Sequence, residues 1–188
     1  MQRALLLGLL WSASLDAAPY KPPVEPEPKA SPKAWLAKRE GAAVWCAFLS
    51  RKAVEAALDS GDYDTDEGVT IWHDGKRIQA IMVSSESEDA FADDIYYLDA
   101  RQRITRMVRT GHYINDPVFS VAFVPDWTGR LALTSASREV VRLMEQAQYE
   151  PYITDWPKYA SFGSMPFRSL IGLRPNVSIR RGCAPAAP

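Results

Sequence analysis

The chain has 188 residues, is 47% hydrophobic, and carries 22 Lys and Arg against 23 Asp and Glu. That length suits one domain, and an aromatic content of 11% with six Trp excludes a wholly disordered chain. A net charge of −1 gives no overall case for a nucleic-acid or anionic-membrane binder. Two His and two Cys are too few for an ordinary zinc cluster.

Residues 1–18 begin with Arg3, continue through an apolar run from Ala4 to Ala13, and end in small residues. This is the three-part order of a signal peptide, and the run is shorter than the roughly 20 residues a membrane span needs. Cleavage is expected between Ser14 and Ala18. No Cys follows the run closely, the first being Cys46, so a lipid anchor is not expected. Residues 19–33 hold six Pro. Pro fixes φ and lacks a donor, so this stretch predicts an extended, disordered arm.

The domain proper is expected over residues 34–181. From Trp35 to Asp59, apolar positions such as Trp45, Leu49, Ala53 and Ala57 recur at helical spacing. A second reading makes Val44 to Leu49 a buried strand, with the helix starting after Ser50 as its N-cap. Both readings end the helix near Ser60-Gly61.

The period then changes. Three segments, around Asp74, Asp99 and Asp126, each run from an apolar stretch through Asp and a few turn residues into a new apolar stretch. Asp opens a turn by accepting a nearby backbone N–H, and Gly75 and Gly129 suit positive φ. Three hairpins are predicted: 69–73 with 77–84, 94–98 with 103–110, and 118–124 with 130–135. Phe119, Val121 and Phe123 alternate as on a strand with one buried face. Ile78 to Val83 is nearly all apolar, so its strand should be central.

After the hairpins, Ser137 caps an expected helix over about 139–148. Six aromatics then fall in residues 149–167, a segment predicted to wrap irregularly over the sheet, with a short helix near Trp156 to Ala160. Val177 to Arg181 could add an edge strand, and residues 182–188 are expected to be a disordered tail. The fold class is therefore α+β: an antiparallel meander of about six to seven strands with an N-terminal helix, followed by a helix and an irregular aromatic-rich segment.

Few residues carry recognisable chemistry. In an oxidising compartment an even cysteine pair implies a disulfide between Cys46 and Cys183. Asp62 to Gly68 has oxygen ligands at alternate positions, but Glu67 and His73 replace the Gly and Glu a calcium loop requires. It and the stretch Glu86 to Asp94 are expected to be exposed acidic loops. Lys76, Arg77, Arg101, Arg103, Arg106 and Arg109 follow the turns and are read as protecting strand edges. Tyr152, Trp156, Tyr159 and Phe162 are candidates for a ligand groove, with core packing the alternative.

No catalytic, cofactor or metal residue is assigned. The expectation is a secreted or periplasmic binding or accessory protein, without nucleic acid or stable membrane insertion after signal removal, for an unknown protein or small-molecule partner. Two further classes stand beside it: a secreted hydrolase using Asp or Glu with His73 or His112, and an inhibitor or immunity-type protein docking through its acidic loops.

Overall fold

The computed structural model describes residues 28, 31–86, 90–113, 119–136 and 158–186. Its strands are β1 (Pro32–Arg39), β2 (Val44–Phe48), β3 (Tyr63–His73), β4 (Ile78–Glu86), β5 (Ala90–Leu98), β6 (Ile104–Tyr113), β7 (Phe119–Pro125), β8 (Leu131–Ala136), β9 (Ile171–Gly172), β10 (Ser178–Ile179) and β11 (Gly182–Pro185). One helix, α1 (Arg51–Leu58), follows β2. Nine strands form one sheet in the order β11-β2-β1-β3-β4-β5-β6-β7-β8, and β9 pairs separately with β10. All pairings are antiparallel.

The α+β class and the meander are as expected, and all three Asp-centred hairpins form. The near-continuous apolar run of β4 does lie at the middle of the sheet. Nine strands replace the six or seven expected, because both chain ends contribute more. Where a helix stripe competed with a strand over Val44 to Leu49, the strand formed. Gly41 at φ 63° turns β1 into β2, and α1 starts only after Ser50, whose Oγ accepts the Ala53 N–H at 3.3 Å. Gly61, at φ 75°, terminates that turn by donating to the Leu58 carbonyl.

The tail is the second correction. Residues 182–185 are not loose but form β11, pairing with β2 so that Cys183 lies opposite Cys46. The two cysteines form a disulfide, and Ala186 N–H extends the contact to the Ala43 carbonyl. The edge strand expected over 177–181 is only the two-residue β10. The expected helix over 139–148, residues 1–27 and most of the Pro-rich arm lie outside the described residues.

Strand registers sort the side chains onto two faces. Leu36, Val69, Ile71, Ile81, Val83, Tyr96, Met107, Val121 and Phe123 share one face, and each is almost wholly buried. Residues 158–179 cover that face: Tyr159, Met165, Phe167, Leu170, Ile171 and Val177 join the same core. Phe167 meets Trp45 edge-on at 5.3 Å and Tyr159 at 6.2 Å, a geometry that adds to simple area burial. The irregular aromatic wrap is thus present from residue 158 onward, held in two 3-10 turns rather than a helix. Among the described residues, no helix is long and apolar enough to cross a membrane.

The disulfide closes a loop spanning 137 residues of sequence. In the chain-entropy account such a loop contributes up to about 4–5 kcal/mol, and commonly less. Intact mass should therefore rise by about two daltons on reduction, one hydrogen per released sulfur. The double variant Cys46→Ala with Cys183→Ala should unfold at lower urea concentration; an unchanged midpoint would show that the β2–β11 ladder alone holds the edge.

Candidate functional site

The three hairpin turns share one chemical device. Asp74 Oδ1 accepts the backbone N–H groups of Lys76 and Arg77 at 2.8 and 2.9 Å. Asp99 Oδ1 accepts those of Arg101 and Arg103 at 2.8 and 3.0 Å. Asp126 Oδ1 accepts those of Thr128 and Arg130 at 2.7 and 3.1 Å, and the Thr128 hydroxyl at 2.6 Å. Each carboxylate thereby satisfies donors that a tight turn cannot pair within its own backbone. The charged form is favoured, and all three carboxyl groups titrate below the ordinary Asp range. The leading cause is the Arg77 N–H for Asp74, the Arg103 N–H for Asp99 and the Thr128 hydroxyl for Asp126.

The turns at Asp99 and Asp126 share one backbone hydrogen-bond pattern and differ in the residue that fills the left-handed position. Gly129 takes φ 82°, whereas Gln102 takes φ 59°, a region side chains rarely enter. Gln102 uses that strained position to place its amide beside β4: Oε1 accepts the Ile78 N–H at 3.3 Å, and Nε2 donates to the Asp99 carbonyl at 3.3 Å. The first and second turns are tied together by this side chain.

Between the second and third turns lies an open cleft of about 770 Å³. Ile104, Val124, Pro125, Phe162 and Leu173 supply apolar wall, while Arg101, Arg103 and Thr105 supply polar groups. Arg103 Nη2 is held by Asp99 at 2.7 Å. Arg101, also exposed, makes no ion pair among the described residues. A pocket with an apolar wall and one unspent cation can orient a ligand that has an apolar body and an acidic group.

The proposed groove residues divide. Phe162 is half-buried and lines this cleft. Tyr159 is 6% exposed, its ring spent on the core against Tyr96 and Phe167. Tyr152 and Trp156 lie outside the described residues. His73 is half-buried and its Nδ1 accepts the Gly75 N–H at 3.2 Å. Burial, then the nearby Lys33 charge, lowers its pKa.

Two charged stretches differ from expectation. Asp93 and Asp94 are not in an exposed loop but inside β5. Asp94 points into the core, where Arg109 holds it with two bonds, Nε to Oδ1 at 2.7 Å and Nη2 to Oδ2 at 3.0 Å. Both residues are under a tenth exposed, so Arg109 does not protect an edge, and β6 is not an edge strand. The Tyr96 hydroxyl donates to Asp94 Oδ2 at 3.4 Å and accepts the Tyr159 N–H at 3.3 Å. Burial, with the Asp94 charge second, raises the Tyr96 pKa far above the ordinary phenol value. Asp93, on the opposite face, accepts the Ser84 hydroxyl at 2.6 Å, and burial raises its carboxyl pKa. The acidic stretch Asp62 to Gly68 is largely the start of β3, bulged against Lys38. Lys38 reaches Asp64 at 3.6 Å and Glu67 at 3.8 Å, and Lys158 also contacts Glu67.

The Asp94–Arg109 pair was findable. Alternation from Leu98 back to Asp94, and from Met107 to Arg109, puts both on the apolar face, and the hairpin register makes them opposite. No known protein family, characterised protein or solved structure matches the chain.

Two predictions follow from these carboxylates. Asp94→Ala leaves Arg109 buried without its carboxylate and should cost about 3–5 kcal/mol in a urea titration; a loss below 1 kcal/mol would mean the pair contributes little. The turn aspartates have folded pKa values below their unfolded ones, so their contribution is complete above the ordinary Asp range. It is lost as pH falls through those depressed values. Asp99→Asn should therefore lower Tm at pH 7, and the gap to wild type should close in acid; a gap independent of pH would refute the ionic origin.

Proposed function

We propose that the chain works outside the cytoplasm as a binding or accessory protein, taking a small amphipathic acid in the cleft between its second and third turns. The observation that carries this reading is the join of an apolar wall with the exposed Arg101 in a cleft of ligand size. The Cys46–Cys183 disulfide is consistent with an extracellular or periplasmic location, and residues 1–18 are read as the leader that takes the chain there.

The reading as an inhibitor or immunity-type protein that docks through its acidic loops keeps one specific support. Register puts Glu67 opposite Ser85 and beside Glu86, and Glu40 N–H meets the Asp62 carbonyl. The exposed Asp62 and Asp66 of the first stretch and Glu86 of the second thus lie at the end of the sheet remote from the cleft, where a basic partner would find them. The hydrolase reading has no comparable support among the described residues, since the Nδ1 of His73 is occupied by its own turn.

Titration calorimetry against aryl and alkyl carboxylates, with the matching neutral amides as controls, tests the cleft. Acids should bind and amides bind more weakly. Arg101→Ala should weaken the acid about tenfold or more, the size of a charge-assisted hydrogen bond, and Phe162→Ala should weaken acid and amide alike. Affinity unaltered in both variants would place the ligand elsewhere. For the address, mass analysis of the purified envelope fraction should find a chain cleaved between Ser14 and Ala18; Met1 retained in a cytosolic form would refute export.

A further inference from the structure

The net charge of −1 conceals two poles. A meander puts alternate turns at the same end of the sheet, so the turns at Asp74, Asp99 and Asp126 lie together. Three contacts confirm their proximity: Gln102 bonds Ile78, the cleft joins Arg101 to Gly129, and Val177 N–H meets the Gly75 carbonyl, drawing in the 174–176 loop. This end carries Lys76, Arg77, Arg101, Arg103, Arg130 and Arg174, all exposed. Its three carboxylates are spent on turn N–H groups. Lys76, Arg101, Arg130 and Arg174 make no ion pair among the described residues.

At one side of that cationic surface, on the hairpin at the β8 edge of the sheet, stands Trp127, 96% exposed at the tip of the third turn. The only other exposed large apolar side chain among the described residues is Leu49, at 47%. The Trp127 backbone is not loose. Asp126 fixes the turn with three bonds through Oδ1, and Gly129 N–H adds a fourth to the Asp126 carbonyl at 3.0 Å.

We propose that this end of the sheet docks peripherally on an anionic lipid surface, with Trp127 seated at headgroup depth and the surrounding cations on lipid phosphates. Charge complementarity selects an anionic partner. Among the described residues no second exposed large apolar side chain stands on the Trp127 hairpin, which selects a lipid over a protein, because a protein-binding Trp normally sits within a contiguous apolar patch that its partner can dry. An exposed indole on a hairpin tip, with Arg130 in its own turn and Arg101 and Arg103 in the next, instead matches the amphipathic anchor favoured at a membrane interface. No spanning segment is needed. The docking goes beyond the cleft reading: it shares Arg101 and Arg103 with the cleft but is tested at Trp127, Lys76 and Arg130, which do not line it.

Co-sedimentation of the full chain with phosphatidylcholine vesicles, with and without phosphatidylglycerol, tests the proposal. Binding should require phosphatidylglycerol and weaken as salt rises. Trp127→Ala should lower the partition coefficient about tenfold, and Lys76→Gln and Arg130→Gln about fivefold each, near one kcal/mol per surface cation. Quenching by brominated lipid should be smaller in Trp127→Phe than in wild type. All three side chains are in solvent, so Tm should change little. Equal binding to neutral vesicles would overturn the proposal, as would variants that bind like wild type, which would place any contact elsewhere, residues 1–18 included. Retention on a soluble polyanion that survives Trp127→Ala, without vesicle binding, would also overturn it.

Discussion

A wide single sheet has an apolar face that must be covered by something, and here the chain covers it with its own least regular segment. Residues 158–179 lack a long helix that could supply a pre-formed apolar stripe. Their aromatic and aliphatic side chains must each be placed individually. The placement depends on ties at intervals: Lys158 to Glu67, Tyr159 N–H to the Tyr96 hydroxyl, Val177 N–H to the Gly75 carbonyl, and the disulfide at the end. Between these ties Met165, Phe167 and Leu170 fill the space over Trp45 and its neighbours. Loosening one tie exposes core rather than surface, which is why so much of the structure hangs on this segment.

The same face tolerates one ion pair. Asp94 and Arg109 lie side by side on neighbouring strands, and the two-pronged geometry meets the directional demands of both groups. Burial of charge is costly unless fully paired. Its specific value lies in register: slipping β5 against β6 by one residue would send Asp94 and Arg109 to opposite faces. Tyr96 links the pair to Tyr159, so sheet register and cover placement are coupled through one hydroxyl.

Local signals were legible in the amino-acid sequence, and long-range ones were not. Asp followed by Gly or Arg marked all three turns, because turn chemistry is decided within five residues. The apolar run of β4 marked the centre, and cysteine parity marked the clasp. The segment of β1 read as helix and that of β2 stayed open between helix and strand, because their apolar residues fit either period; only pairing with β3 and β11 decides. The tail Gly182 to Pro185 has no apolar stripe, so nothing in its composition announces a strand; its pairing comes from the edge that β2 leaves open. Asp94 was hidden by its acidic neighbours in the sequence, although alternation along β5 separates it from Asp93. Of the groove residues, Phe162 reached the cleft and Tyr159 the core, a division that aromatic density alone cannot make. The cationic end was invisible to net charge, since topology rather than composition gathers its members.

The pairing of β11 with β2 has a meaning in time as well as in space. Strands β3 to β8 each find their partner in the next stretch of chain, so their ladders can close as residues appear. The outer edge of β2 cannot. Its partner lies 137 residues later, and a chain made N-terminus first presents Val44 to Phe48 with one row of backbone groups unpaired until residues 182–185 arrive. An open, apolar edge is a template for another copy of the same strand. The protein's most vulnerable interval is therefore the stretch of its synthesis before Cys183 exists, and its final strand acts less as an ornament of the sheet than as the lid on a hazard.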